Sequence, residues 1–221
     1  EFLNQLISAI GKDRIIISVD AINGKIAVKG WTETVNIPLV EGAKQAQKFC
    51  SELLFTCVEK EGCMQGTNMD YVKQVRDAVS CRVVAAGGVS SVEEIAALEK
   101  IHCDVQLGMA LYTGKVSLND AFVACMDFEK SPLIPVIAQS VNGEVLMQAY
   151  ANKESLLKTF DCKKLTFYSR SRKELWTKGE TSGNFLEVVR LRADCDRDCI
   201  LATVIPVGPS CHTGSWTCFK T

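Results

Sequence analysis

Three cysteines late in the chain, Cys195, Cys211 and Cys218, could take three corners of a zinc tetrahedron and leave the fourth to water. Three protein ligands with one open position is the layout of a catalytic zinc site rather than a structural one. The spacing matches no zinc-finger pattern, and the competing reading is three free cysteines packed as small hydrophobes. Cys195 lies within Asp194-Cys195-Asp196-Arg197-Asp198. On an extended segment alternate residues share a side, so Asp194, Asp196 and Asp198 would present hard carboxylate oxygens together, a donor set that suits Mg²⁺. Cys195 would then point the other way; a solvated acidic turn is the plainer alternative. His212 adjoins Cys211 and is the only imidazole after residue 102. It is the candidate for proton transfer, against a purely structural histidine. Cys199 is expected to face the core.

Upstream, residues 163–178 hold six basic side chains: Lys163, Lys164, Arg170, Arg172, Lys173 and Lys178. Ser169-Arg170-Ser171-Arg172 combines hydroxyls with guanidiniums, whose forks grip phosphate oxygens bidentately. A solvated basic strand is the commoner alternative. Gly179-Glu180-Thr181-Ser182-Gly183-Asn184 reads as a polar loop able to close over a ligand.

The elements that must position these groups divide the chain near residues 129–135, where EKSPLIP places two prolines together. We therefore expect a short linker, with parts at 1–127 and 128–221. Residues 131–221 carry twelve basic and nine acidic side chains, and the preceding 130 carry thirteen and seventeen. In the first part, strands are expected at 14–20 and 25–31 around an Asn23-Gly24 turn, then at 53–58, 82–86 and 104–107. Helices are expected at 39–52, from Asn68 to 79, after Ser90 or Ser91, and at 118–126. With the hairpin set aside, this is βα four times over: a parallel sheet, either small and open or half of a closed barrel. The second part reads as small α+β, with strands at 136–141, 145–150, 165–169, 187–193 and 200–207 and a helix at 153–159.

Composition excludes several classes. Hydrophobic residues make up 47% of the 221, enough for real cores, so disorder is excluded. The net charge of −1 excludes a generally basic nucleic-acid binder. No run of 18 apolar residues is present and the first residues lack a signal-peptide layout, so neither a membrane partner nor secretion is expected. Eleven cysteines, an odd number scattered through a hydrophobic chain, point to a reducing, cytoplasmic setting.

The run SRSRKELWTKGETSGN, then DCDRD, GPSCHTG and TCF, in that order, resembles the phosphoribosyl-AMP cyclohydrolases of histidine biosynthesis over residues 131–221. The resemblance implies zinc on Cys195, Cys211 and Cys218, and magnesium on Asp194, Asp196 and Asp198. It further implies a zinc-activated water that opens the adenine ring of 1-(5-phosphoribosyl)-AMP at N1–C6, and a homodimer whose zinc ligands come from both chains. It also implies a nucleotide substrate held by Ser169, Arg170, Ser171, Arg172, Trp176, Lys178, Gly179, Glu180, Thr181, Ser182 and Gly183.

Residues 1–126 resemble the C-terminal half of the phosphoribosylformimino-AICAR-phosphate ribonucleotide isomerases, a (βα)₈ barrel family, through IISVDAINGKIAVKGW, LLFTCVEKEGCMQGTN, VVAAGGVSSVEEI and VQLGMALYTG. This implies Asp20 as a catalytic carboxylate at a strand's C-terminal end, Thr56 near the reacting sugar, and phosphate loops at Gly87, Gly88 and Gly108. The first four βα units and a second catalytic aspartate have no counterpart here. Where that family usually shows Asp-Gly-Thr, this chain has Glu61-Gly62-Cys63. An acid–base pair lacking one member transfers protons poorly, so no isomerase activity is expected from these residues alone. The resemblance starts near the family's fifth strand, which fits either a piece of a longer chain or a naturally reduced barrel. A missing half supplied in trans, or a half-barrel serving only for dimerisation, are the rival roles for this part.

Overall fold

The computed structural model describes residues 1–219 and divides into two units, Glu1–Ala124 and Cys125–Thr221, with separate sheets. The first begins with helix α1 (Phe2–Ile10). Lys12–Arg14 then form a 3₁₀ turn, so strand β1 (Ile16–Ile22) starts two residues later than its apolar run suggests. Asn23 and Gly24 both take positive φ (50° and 73°) and make the expected tight turn into β2 (Lys25–Val28). That strand stops at Val28 rather than at 31. Lys29, Gly30 and Trp31 follow with φ of 52°, 63° and 69°, a left-handed run that no strand can continue. The run turns the chain into β3 (Glu33–Pro38), which the sequence did not suggest.

Helix α2 (Leu39–Ala46) is shorter than expected, because Gln47–Phe49 tighten into a 3₁₀ turn before β4 (Glu52–Cys57). The next two helices start where their capping residues place them. Asn68 accepts the Tyr71 N–H at 3.1 Å at the head of α3 (Met69–Ala78). After β5 (Arg82–Ala86), Ser91 accepts the Glu94 N–H at 3.2 Å at the head of α4 (Val92–Lys100). Strand β6 (Asp104–Val105) and helices α5 (Met109–Tyr112) and α6 (Leu118–Ala124) complete the unit.

The sheet order is β3-β2-β1-β4-β5-β6, with β1, β4, β5 and β6 parallel and β2 and β3 antiparallel beside them. This is a mixed α/β unit built on a parallel sheet. Leu53 and Phe55 of β4 and Val83 of β5 are fully buried, as are Val72 and Val75 of α3 and Leu98 of α4. Burial on both faces is why these strands read as continuous apolar runs. The parallel register sets Asp20 beside Thr56, and Thr56 beside Ala86.

The second unit contains β7 (Ile134–Ser140), β8 (Val145–Ala151), α7 (Lys153–Cys162), β9 (Thr166–Ser169), β10 (Glu174–Thr177), β11 (Leu186–Ala193) and β12 (Ile200–Pro206). Its main sheet runs β11-β12-β7-β8, antiparallel except between β12 and β7, and β9 pairs with β10 as a separate hairpin. Strand β10 was not expected, since Glu174–Thr177 shows no run of β-branched residues. Pro135 lies inside β7 opposite Tyr150, so the irregular stretch ends before Ile134. The ladder to β12 begins only at Val136, so the proline occupies the strand's free start, where its missing N–H is tolerated. Strict alternation along β7 sends Ile134, Val136 and Ala138 into a core shared with Leu146, Leu156, Phe167, Ile200 and Val204. Helix α7 begins at a reciprocal cap between Asn152 and Ser155. Among the described residues no helix is long and apolar enough to cross a membrane.

The cysteines separate into two reactivity classes. Cys50, Cys57 and Cys103 are buried, and burial pushes the Cys103 thiol up to about 11. Cys63, Cys162, Cys195 and Cys218 are exposed, and the remaining cysteines lie between these extremes. The thiolate is the reactive form, so a raised value delays reaction to higher pH. In the folded protein at pH 8, iodoacetamide with peptide mass mapping should modify Cys63 and Cys162, and in metal-free protein Cys195 and Cys218, ahead of the buried thiols. Cys50, Cys57 and Cys103 should react only after denaturant is added; early labelling of Cys103 would contradict this packing.

Candidate functional site

Strand β8 carries the end of the described chain along its free side. Trp216 Nε1 donates to Glu144 Oε2 at 2.6 Å, Thr217 Oγ1 to the Val145 carbonyl at 2.7 Å, and the Cys218 N–H to the Leu146 carbonyl at 2.8 Å. Three consecutive residues are thus clipped to one strand, which sets Cys218 in place. The segment before it folds back on itself: the Ser210 N–H donates to Trp216 O at 3.0 Å and the Cys211 N–H to Ser215 O at 3.0 Å. This brings Cys211, His212 and Cys218 to the wall of one cavity of about 480 Å³. Cys211 Sγ lies 3.9 Å from His212 Nδ1 and 3.1 Å from Thr213 Oγ1.

The opposite wall comes from β10 and the loop after it. Trp176 leans on Phe167 with ring centroids 5.1 Å apart. Lys178 is only 9% exposed, and its Nζ donates to the Asn184 carbonyl at 2.9 Å, closing residues 179–184 into a loop. Burial pulls the Lys178 ammonium below the usual lysine range, while charge on the Cys218 and Cys211 thiols acts in the other direction. Gly179 has φ of 92°, and a side chain there would strike the backbone of Asn184 and Phe185. Glycine is therefore what lets the loop fold so tightly. Of the sequence candidates, Arg172, Trp176, Lys178, Gly179, Glu180, Thr181 and Ser182 line this cavity with the thiols. Gly183 does not, and instead donates its N–H to Gly179 O at 2.8 Å. Ser169, Arg170 and Ser171 line a second cavity, of about 660 Å³, to which Trp176 also belongs.

Cys195 is not among the residues around the thiol cavity, and it forms no group of potential metal ligands with Cys211 and Cys218 among the described residues. It sits in the turn between β11 and β12. There the carboxylates of Asp194, Asp196 and Asp198 do converge, with oxygens within 4.8 Å of one another. The route differs from the expected extended segment. Arg197 adopts a left-handed φ of 63°, and Asp194 Oδ1 accepts the N–H groups of Asp198 and Cys199, both at 3.1 Å. The expected separation of soft and hard donors is also corrected, since Cys195 Sγ lies 4.0 Å from Asp196 Oδ1.

A cation already occupies this turn. Lys130 Nζ lies 2.8 Å from Asp196 Oδ2 and 3.1 Å from Asp198 Oδ2. The two carboxylates hold the Lys130 ammonium well above the usual lysine range, and Lys130 holds Asp196 below the usual carboxylate range. Three converging carboxylates that already accept one cation are a donor set that fits a hard divalent ion. The two thiols beside a buried ammonium fit half of a soft tetrahedral set. Sequence reading missed Lys130, because a contact spanning 66 positions leaves no local pattern. It also missed Ser210, whose buried hydroxyl lines the thiol cavity with no hydrogen-bond partner among the described residues.

In the first unit, Asp20 and Thr56 are neighbours at the C-terminal ends of β1 and β4. Both Asp20 oxygens are engaged: Oδ1 accepts from Ser18 Oγ at 2.6 Å and Oδ2 from Trp31 Nε1 at 2.8 Å. Gly87, Gly88 and Gly108 line one narrow cleft of about 40 Å³. Gly87 and Gly88 have φ of 93° and 84° and press against the Cys57 and Gly66 carbonyls, where a side chain would collide. Glu61 lines the same cleft, so an arriving anion would meet a carboxylate there. Asp20 and Thr56 are not among its lining residues.

Comparison with known proteins gives two matches. Residues 1–117 match the family described as "Histidine biosynthesis protein", and residues 147–220 match "Phosphoribosyl-AMP cyclohydrolase". The chain is 54% identical over 96 residues to the Histidine biosynthesis bifunctional protein HisIE of Shigella sonnei, covering 42% of this chain and 47% of that protein. The HisIE protein of Photobacterium profundum is 50% identical over 101 residues, 45% of this chain and 49% of that protein. That of Staphylococcus epidermidis is 53% identical over 96 residues, 43% of this chain and 45% of that protein. The chain thus spans about half the length of the curated relatives it matches. Since the first match alone takes in more than half of its 221 residues, the chain belongs to the histidine biosynthesis protein family, and behind that segment it carries a phosphoribosyl-AMP cyclohydrolase domain.

Proposed function

We propose that the second unit hydrolyses 1-(5-phosphoribosyl)-AMP, opening its adenine ring at the N1–C6 bond in histidine biosynthesis. The observation that carries this is the coincidence of the cyclohydrolase match over residues 147–220 with the cavity that gathers Cys211, His212, Cys218 and Lys178. In this reading Cys211 and Cys218 hold zinc, with Cys195 supplied by a second copy of the chain in a homodimer. Zinc bound there supplies the Lewis acidity that brings ionisation of water into the neutral range. His212 takes the proton that water gives up as oxygen adds to C6, and returns it to N1 as the N1–C6 bond breaks. Trp176 offers an aromatic wall to the purine. The loop closed by Lys178 excludes bulk water from the reacting carbon. Asp194, Asp196 and Asp198 hold magnesium once Lys130 has moved away.

Two features support the dimer. The third thiol stands apart from its partners within one chain, and Val189, Ile205 and Val207 expose apolar surface on β11, on β12 and just beyond it. The first unit is, in this proposal, four βα units of a half-barrel related to the isomerases. Both oxygens of Asp20 are already engaged, and a carboxylate lines the glycine cleft, so this unit adds no isomerisation of its own. The scattered cysteines support a reducing, cytoplasmic site of action.

Zinc and turnover should be lost together in Cys211→Ser, measured by atomic absorption alongside ring opening. The same should hold for Cys195→Ser. Because the shared site takes Cys211 and Cys218 from one chain and Cys195 from the other, unfolding and refolding these two variants together should restore roughly a quarter of wild-type turnover. No recovery at all would place Cys195 outside the site or all three ligands in one chain.

Asp196→Asn should keep its zinc while needing more Mg²⁺ for half-maximal turnover. It removes one hard donor and leaves Cys211 and Cys218 untouched. An unchanged magnesium requirement would remove the acidic turn from the reaction.

Asp20→Asn should open the adenine ring at the wild-type rate, since Asp20 belongs to the other unit. A fall in kcat in that variant would show that the two units act on one reaction.

A further inference from the structure

Resting on the cyclohydrolase reading, we infer that Ser210 recognises the adenine ring of the substrate, its hydroxyl accepting from the 6-amino group and donating to N7. The juxtaposition that carries this is a buried, unpartnered hydroxyl in the cavity wall that also holds Cys211, His212 and Trp176. Ser210 is 3% exposed, and its Oγ has no hydrogen-bond partner among the described residues. Its backbone is held in place: the Ser210 N–H donates to Trp216 O at 3.0 Å, and the Cys211 N–H to Ser215 O at 3.0 Å. The hydroxyl is therefore presented from a fixed turn, one residue from a thiol of the site. A buried hydroxyl left unpaired costs the fold free energy, and a ligand that meets it in the cavity removes that cost.

The chemistry of the substrate selects which groups meet it. Ribose sits on both N1 and N9 of 1-(5-phosphoribosyl)-AMP, so the edge through N1 is blocked. The 6-amino group and N7 form the edge left free, one donor beside one acceptor. A single hydroxyl accepts and donates at once, and so can meet both. Two stronger acceptors of the same wall are already engaged. Glu180 Oε2 accepts the Thr177 N–H at 3.1 Å, and the Asn184 carbonyl accepts from Lys178 at 2.9 Å. A neutral acceptor also suits the reaction. A carboxylate at that edge would stabilise the protonated amidine and oppose the approach of an electron-rich oxygen to C6. A hydroxyl meets the amino group without adding negative charge. Holding the N6–N7 edge at Ser210 fixes the adjacent C6 beside the thiols. Ser210 is on this account a binding residue for the base and a positioning residue for C6.

The test uses the full chain loaded with zinc and magnesium, as wild type and Ser210→Ala. Two probes are titrated by calorimetry: AMP, and 7-deaza-AMP, which keeps the amino group but carries carbon in place of N7. The thermal midpoint without nucleotide and turnover of phosphoribosyl-AMP are measured separately. Ser210→Ala should bind AMP roughly 3–10-fold more weakly, the range expected for lost neutral hydrogen bonds, and its KM should rise by a similar factor with zinc content constant. Its midpoint without nucleotide should stay at or above that of the wild type, because the change removes an unpaired buried group rather than a contact. Wild type should prefer AMP to 7-deaza-AMP, and Ser210→Ala should bind the two alike. Equal AMP affinity in the two proteins would overturn the assignment, as would a preference for AMP that survives loss of the hydroxyl. A lowered midpoint in nucleotide-free Ser210→Ala would make the hydroxyl a structural one and would overturn it too. Absence of turnover in the wild type would instead count against the reaction proposed above, and the two nucleotide titrations would still decide the role of Ser210.

Discussion

The second unit depends on one hydrogen bond from a buried charge. The Lys178 ammonium donates to the Asn184 carbonyl at 2.9 Å with 9% of the residue exposed. A buried ammonium is tolerated only if acceptors meet it. The Asn184 carbonyl is available because Gly179 lets the loop close, and Cys211 and Cys218 bring sulfur toward the same charge. Loop, lysine and thiols therefore come as a set. The two sulfurs face the one cation that is buried among the described residues. The clip of residues 216–218 along β8 has the complementary task of bringing the chain's last described stretch to that cation.

Much of this was legible in local pattern, and the gaps have a common cause. Strand β5 and the starts of α3 and α4 follow from an apolar run and from two side-chain caps, each decided within a few residues. The converging aspartates were legible too, although through the wrong geometry, because a left-handed Arg197 rather than an extended strand gathers them. Strand β3 follows a turn of three successive left-handed residues, two of which are Lys29 and Trp31, and no residue preference announces such a turn. Lys130 and the anchoring of Trp216 on Glu144 join residues 66 and 72 positions apart, and those contacts exist only once the sheet has formed. Cys195, Cys211 and Cys218 were readable as a set by residue type. Their division between a turn and a cavity was not, because spacing does not say where the fold carries each residue.

The two units show how differently a fold can retain a site. In the first, parallel strands still bring Asp20 and Thr56 side by side, and glycines still line a narrow cleft. Yet Trp31 and Ser18 donate to both Asp20 oxygens, and Glu61 stands at the cleft. In the second, one cavity gathers two thiols, an imidazole and the Ser210 hydroxyl, which has no hydrogen-bond partner among the described residues. Family membership covers both units, whereas chemistry still waiting for a ligand is concentrated in one.

The ammonium of Lys130 between Asp196 and Asp198 bears on the order in which the protein is assembled. Three carboxylates crowded into a turn would repel one another in a newly made chain. The Lys130 ammonium offsets part of that repulsion in the β11–β12 turn. If the turn takes magnesium as proposed, loading would be an exchange rather than a capture: the incoming ion would have to out-compete a tethered ammonium, and a double charge favours it over a single one. On the magnesium reading proposed above, the lysine would be a placeholder, and its release on loading would free the segment just ahead of β7. Ion occupancy would in this way be reported at the boundary where the second unit begins.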